Sequence, residues 1–122
     1  MSGRTDIMNV DCISKSEIAD IITKLNDIYF EAVKKIYDAD FQGSRNIFLG
    51  TVDLLGKIIE YSMSLEVQRP GSKLINVRAM TRTVDEIINS FEKMDFQTAS
   101  DLMLYDLSSI LNECKDEMDA LN

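Results

Sequence analysis

Apolar residues recur at steps of three and four along most of the chain, which is the spacing of one face of an α-helix. The first run extends from Ile18 to Ile36, and it follows Ser14 and Glu17. A serine and a glutamate three residues apart can each bond the other's backbone N–H, which makes a capping box at a helix start. We therefore predict an amphipathic helix over residues 14–38. Residues 1–13 show no sustained periodicity and are predicted to form a flexible N-terminal arm.

Three further periodic segments predict helices over residues 41–66, 72–93 and 96–121. Asp40 and Asp95 stand where N-cap residues are expected, and Ser72 follows the strongest helix break in the chain, Arg69-Pro70-Gly71. No segment alternates with a period of two, so nothing favours β-strands. Because short connections make neighbouring helices antiparallel, we predict an all-α fold, an antiparallel up-down-up-down four-helix bundle over residues 14–122.

The turn before the second predicted helix recurs before the fourth. Asp40-Phe41-Gln42 is repeated 55 residues later as Asp95-Phe96-Gln97. In both places we expect the aspartate to cap the new helix and the phenylalanine to pack across the turn. The chain is interpreted either as two related helical hairpins or as a chance recurrence of a common capping pattern.

The second and fourth predicted helices have more apolar residues than a bundle helix needs, which is about three in seven. The predicted core stripe of the second helix is Phe48, Val52, Leu55, Ile59 and then Ser62 or Met63, with Ile58 in a neighbouring stripe. That of the fourth is Leu104, Leu107, Leu111, Cys114, Met118 and Leu121, with Ile110 as a surplus residue. Surplus residues on both helices define a candidate interface: Ile47, Leu54, Tyr61, Leu65, Leu102, Met103 and Tyr105. These residues either close the core or form an exposed patch. If they are exposed, a helix of a partner could lie in a groove between these two helices.

The composition limits the partners and the location of the protein. The net charge is −8, so the surface repels nucleic acid and anionic lipid, and neither is a predicted partner. Cys12 and Cys114 are far apart in the sequence and are expected to be reduced, with a disulfide between them as the less favoured alternative. The first residues lack the apolar run of a signal peptide, and no apolar stretch is long enough to span a bilayer. We predict a cytoplasmic location.

The sequence offers little for catalysis or for metal binding. Histidine is absent, which removes the commonest general base and the usual zinc-binding patterns, and no phosphate-binding glycine motif occurs. Glu17 and Asp20 are three residues apart on one helix and in this resemble the metal-binding helices of all-α nucleotide pyrophosphohydrolases. Those enzymes pair such a helix with a second acidic one, and Asp53, Asp85 and Glu86 do not repeat the spacing. No catalytic, cofactor-binding or metal-binding residue is therefore predicted, and no cofactor.

Two resemblances bear on function. The segment from Asp95 to Leu111 is similar to a turn and helix of small uncharacterised bacterial all-α proteins, a similarity that extends more weakly back to about Phe41 and implies no activity. In size and predicted form the chain also resembles flagellar export chaperones, acidic helical proteins that hold an aggregation-prone partner segment. Met103-Leu104-Tyr105-Asp106 resembles a stretch of the flagellin chaperones, where it lies in the first helix.

The sequence thus favours a non-enzymatic protein–protein interaction module, a small chaperone or adaptor. A homodimer is its simplest assembly. Two alternatives stay open at this point. One is a metal-dependent nucleotide hydrolase that uses Glu17 and Asp20, and the other is an acidic inhibitor of the immunity-protein type.

Overall fold

A computed structural model describes residues 14–71 and 75–120, and in these two parts the chain forms four helical stretches and no strand. The first stretch is α1 (Lys15–Tyr37), and the second consists of α2 (Phe41–Leu49) and α3 (Val52–Gln68). The third is α4 (Val77–Glu92), and the last joins α5 (Phe96–Asp101), a π-helical segment (Leu102–Leu107) and α6 (Ser108–Ala120). The predicted all-α class is confirmed. The predictions for the arm, Cys12, Ser72 and Leu121 lie outside the described residues.

Helix α1 begins at the predicted capping box. The Glu17 N–H donates to Ser14 Oγ at 3.1 Å, and the Ser14 N–H donates to Glu17 Oε1 at 3.2 Å. The helix contacts α2, α5, the π-helical segment and α6. Its buried face is the centre of the core, and every member is at most 9% exposed: Ile18, Ile22, Leu25, Tyr29, Ala32, Val33 and Ile36.

The second predicted helix is broken at Gly50 and Thr51, between α2 and α3. The Thr51 N–H bonds the carbonyl of Phe48, three residues back, at 2.9 Å, so the chain makes one tightened turn there. The Thr51 side chain is buried, and its hydroxyl donates to the same carbonyl at 2.7 Å. With that proton used, the Tyr29 hydroxyl 2.9 Å away is the donor to Thr51 Oγ1.

This tightened turn corrects the predicted core stripe of the second helix. Val52, predicted as a core residue, is 38% exposed, and Thr51 is buried in its place. Ile58 is fully buried whereas Ile59 is only half-buried. Leu55 and Ser62 are buried as predicted, so two of the predicted positions change, each to the preceding residue. The first of these changes occurs because a turn of about three residues replaces one of 3.6.

Helix α4 begins at Val77, five residues later than predicted. Asn76 has extended backbone angles, and its side chain accepts from the Ala79 N–H at 3.0 Å, so it is the N-cap. Ile75 precedes the helix and is 5% exposed, and it adds an apolar side chain to the core from outside the helix.

The last helix differs from its predicted stripe at the π-helical segment. Met103 and Leu107 are both fully buried, and Leu104, predicted in the core seam, is only half-buried. A π-helical turn holds more residues than an α-helical turn, so the inward positions there are four residues apart. Beyond the segment the predicted seam is confirmed at Leu111, Cys114 and Met118.

The repeated Asp-Phe-Gln turns have the same backbone conformation. The residue before each aspartate is left-handed, with φ of 63° at Ala39 and 60° at Met94. Asp40 accepts from the Gly43 N–H at 2.9 Å, and Asp95 accepts from the Thr98 N–H at 3.2 Å, which confirms both predicted caps. Hydrogen bonds from the Thr98 side chain and backbone lower the pKa of the Asp95 carboxyl.

The two phenylalanines of these turns stack on each other. The ring centroids of Phe41 and Phe96 are 3.9 Å apart, and the rings are within 2° of parallel. The repeat therefore places two like residues in contact, one from each half of the chain.

The two halves match beyond the turns. Several buried residues of α1 and α2 have buried counterparts 55 positions later in α4 and the last helix, as Leu25 has Met80 and Phe48 has Met103. Beyond the π-helical segment the interval is 56, as in Leu55 with Leu111. The change by one residue falls where the first half has its tightened turn and the second half its π-helical turn. Residues related by these intervals are called matched positions below.

We expect the stacked rings to be energetically coupled. Replacing Phe41 and Phe96 by leucine, singly and together, should give a coupling free energy of about 0.5–1.5 kcal/mol, because stacking adds to simple burial. Urea unfolding of the wild type, F41L, F96L and the double variant measures it. Additive single effects would show that the rings are close without stabilising each other.

Candidate functional site

The predicted interface residues fall into three classes of exposure. Tyr105 is 67% exposed, on the π-helical segment. Met103 is 0% exposed, so its assignment to a surface patch is wrong, because the π-helical turn directs it into the core. The other predicted interface residues are half-buried and pack against the core: Ile47, Leu54, Tyr61, Leu65 and Leu102.

A concave feature that includes the predicted interface residue Tyr105 lies between α4 and the last helix. Two cavities of about 520 and 510 Å³ adjoin there, and both are lined by Ala79 and Ile110. We call the continuous feature the C-terminal groove. It reaches from Ile75 at one end to Tyr105 and Glu86 at the other. Sequence reasoning placed a groove between the second and fourth helices, whereas this groove is formed with the third.

Small side chains leave the C-terminal groove open. Ala79 and Thr83 line it from α4, and Ser109 lines it from α6. Their matched positions in the first half hold Lys24, Ile28 and Asp53, each of which is larger. At these three positions the side chains that line the groove are thus smaller than their counterparts in the first half.

Apolar groups from the edge of the core form the floor of the groove. Ile75 is 5% exposed and Thr83 is 6% exposed, so their positions are fixed by packing. Ile110 is half-buried and also packs on the core. Since these side chains belong to the folded core, the groove is a preformed surface.

The rim of the C-terminal groove is acidic. Five exposed carboxylates line it against one exposed arginine, Arg82. In the described parts of the chain no basic side chain forms an ion pair with any of the five, and the ion pair that occurs there joins Lys35 to Asp40. The carboxylates are Glu86, Asp106, Glu113, Asp116 and Glu117.

Glu17 and Asp20, the pair considered for metal binding, lie at the start of α1. Glu17 accepts the Ser14 N–H in the capping box, and both Glu17 and Asp20 are exposed on the first turns of α1. Within residues 14–71 and 75–120, no three His, Cys, Asp or Glu side chains are grouped so that they could hold a metal ion. The capping box accounts for a glutamate three residues after Ser14, so no metal is needed to explain Glu17.

Two buried groups with acidic protons are poorly placed for chemistry. Cys114 is fully buried, and burial raises the pKa of its thiol to about 11. Tyr29 is 1% exposed, and burial raises the pKa of its hydroxyl against a smaller, opposite effect of its hydrogen bond to Thr51. Neither group has the exposure or the lowered pKa of an activated nucleophile.

None of the described helices combines the length and the hydrophobicity that crossing a membrane requires. Comparison of the chain with protein-family models, with curated proteins and with solved structures found no match. The interpretation of the C-terminal groove therefore rests on its own side chains.

Cys114 provides a chemical test of the core. In a Cys12→Ser background, alkylation by iodoacetamide at pH 8 should be at least about a hundredfold slower for the native protein than in urea, because the thiol is both buried and protonated. Since burial raises the pKa of the folded thiol above its ordinary value of 9.0, the thiol favours the folded state below pH 9, and this contribution is lost as the pH rises towards 11. Rapid labelling of the native protein at pH 8 would contradict this placement.

Proposed function

We propose that this protein is a non-enzymatic protein–protein interaction module, a small chaperone or adaptor, and that it works in the cytoplasm. The observation that carries the proposal is the C-terminal groove, with its apolar floor, its acidic rim and the exposed ring of Tyr105. A preformed groove with apolar side chains on its floor and charged residues on its rim is typical of surfaces that bind another polypeptide.

The proposed architecture is an antiparallel up-down-up-down bundle of two related hairpins. Short turns at residues 38–40 and 93–95 support it, because they leave little chain for any other arrangement. Hydrogen bonds between the first and last helices also support it: Asn26 donates to Asn112 at 3.0 Å and accepts from Ser108 at 3.1 Å.

Aromatic and apolar groups at the groove are suited to contact rather than to reaction. Tyr105 presents a large ring to solvent at low conformational cost, which is characteristic of residues that dominate protein interfaces. Ile110 and Ala79 lie beside it on the groove surface. A partner side chain inserted there would replace water on apolar groups without any rearrangement of the core.

Self-association is a second form of the same proposal. The half-buried stripe of Ile47, Leu54, Tyr61 and Leu65 on α2 and α3 is the candidate surface for a homodimer. This stripe is distinct from the C-terminal groove, so the two surfaces can be tested separately.

Site-specific photocrosslinking tests the proposal. We expect p-benzoylphenylalanine in place of Tyr105 to give a discrete covalent adduct on irradiation of cells of the native host, because the ring lies at the partner surface. Phe30, an aromatic residue that is 59% exposed on α1 and does not line the groove, is the matched control position. Gel mobility and mass spectrometry identify the adduct.

The identity of the adduct shows what occupies the groove. A product of twice the chain mass of 13.8 kDa would place a second copy there, a contact different from the stripe on α2 and α3, and any other protein identifies a partner. Equal crosslinking from positions 105 and 30, or none from either, would contradict a binding surface at the groove.

A further inference from the structure

We infer that the C-terminal groove binds a basic amphipathic helix of a partner protein. The inference rests on the proposed function and names the class of partner. It follows from the shape of the groove, from the groups on its walls and from the charge of its rim.

The dimensions of the groove suit a few turns of helix. Along α4 its lining residues run from Asn76 to Glu86, which at about 1.5 Å per residue is a length of about 15 Å. A helix of about three turns covers that length. Such a helix presents residues on one face at intervals of three and four, and these would meet the half-buried side chains of Ala79 and Ile110.

The walls of the groove favour a helix over an extended strand. Both walls are helices, whose backbone N–H and C=O groups are bonded to one another within each helix. They offer no free sheet edge to a strand, and a strand laid there would leave its own backbone groups unpaired on an apolar floor. A helix satisfies its own backbone and needs only an apolar face.

The charge of the rim selects a basic occupant. Five carboxylates with no ion-pair partner among the described residues line the groove against one arginine. Four of the five carboxylates lie on the last helical stretch, where Lys or Arg flanking the apolar face of a helix would pair with them, and Glu86 on α4 lies in the same wall as Arg82. On the α6 side the acids at 113, 116 and 117 follow a helical spacing, so they present one continuous acidic edge.

The same charge disfavours the occupants that this chain could itself supply. A second copy has a net charge of −8, and its acidic surface would be repelled by the rim. Residues 1–13 of the chain hold one basic residue, Arg4, against Asp6 and Asp11, so they are not a basic segment. A separate protein with a basic amphipathic helix fits the groove better than either.

Fluorescence anisotropy with synthetic peptides tests the inference on the full chain. The probe is a rhodamine-labelled peptide of about four helical turns, with leucine on one face and lysine on both flanks. We expect it to bind at least about tenfold more tightly than the same peptide with glutamate for lysine, and more weakly as salt rises. A scrambled basic peptide without an apolar face should bind at least about tenfold more weakly.

Matched variants locate the binding. The triple variant E113Q/D116N/E117Q should weaken binding of the lysine peptide by about tenfold and reduce its salt dependence. Neutralising three exposed carboxylates of the first half, in E31Q/D53N/E60Q, should change it by less than about twofold. Ala79→Leu fills the groove and should weaken binding by at least about tenfold, whereas Lys24→Leu at the matched position should not. Circular dichroism confirms that each variant is folded.

Each outcome bears on the inference. Equal binding of the lysine and glutamate peptides, equal binding of the scrambled peptide, or unchanged binding by the groove variants would overturn it. A wild-type dimer in light scattering that Ala79→Leu dissociates would assign the groove to a second copy instead. A crosslinked partner at position 105 without preference for the lysine peptide would leave the proposed function standing and remove only the partner class. If there is neither a crosslinked partner at position 105 nor a preference for the lysine peptide, the proposed function and the partner class both fail.

Discussion

The fold depends on the burial of one face of α1. Its seven inward side chains are nearly free of solvent, and a buried aliphatic or aromatic side chain contributes about 1.5–3 kcal/mol relative to an exposed one. Because α1 contacts α2, α5, the π-helical segment and α6, this face holds the second and last helical stretches together. Two polar links fix the register: Tyr29 bonds Thr51, and Asn26 bonds Ser108 and Asn112. A shift along α1 would leave the buried Tyr29 hydroxyl without its partner, at a cost that apolar contacts alone would not impose.

Around this core, the turn before the second helical stretch and the turn before the last one are stabilised in the same way. Ala39 and Met94 both adopt the left-handed conformation, which costs a non-glycine residue about 1 kcal/mol. The following aspartate caps a helix in each case, and the two phenylalanines stack, so the same unfavourable backbone is offset in the same way twice. Where the halves differ in length by one residue, the difference is absorbed by a tightened turn in one and a π-helical turn in the other.

The sequence predicts four helical stretches and three of their N-caps, because capping residues and helical periodicity are local signals, but it did not predict Asn76, the N-cap of α4. Ser14, Asp40 and Asp95 all cap as expected. The break at Thr51 could not be predicted, since a single glycine is tolerated inside a helix and a shift of one residue hardly changes the periodicity. In the run from Leu102 to Tyr105 all four residues are apolar or aromatic, so periodicity could not decide that Met103 faces inward and Tyr105 outward. The groove was missed because it depends on small residues on two separate helices, Ala79 and Thr83 on one and Ser109 on the other.

The residues that match between the two halves have a different role from the residues that form the groove. The shared positions are buried and hold the fold, as Leu25 and Met80 do, or Phe48 and Met103. Among the positions that open the groove and charge its rim, Ala79 is half-buried, and Glu113, Asp116 and Glu117 are exposed. Exposed carboxylates contribute little to folding, so they can be removed without loss of the core. None of these side chains belongs to the buried face of α1. Substitutions at the groove can therefore change the proposed binding while the main source of stability is retained.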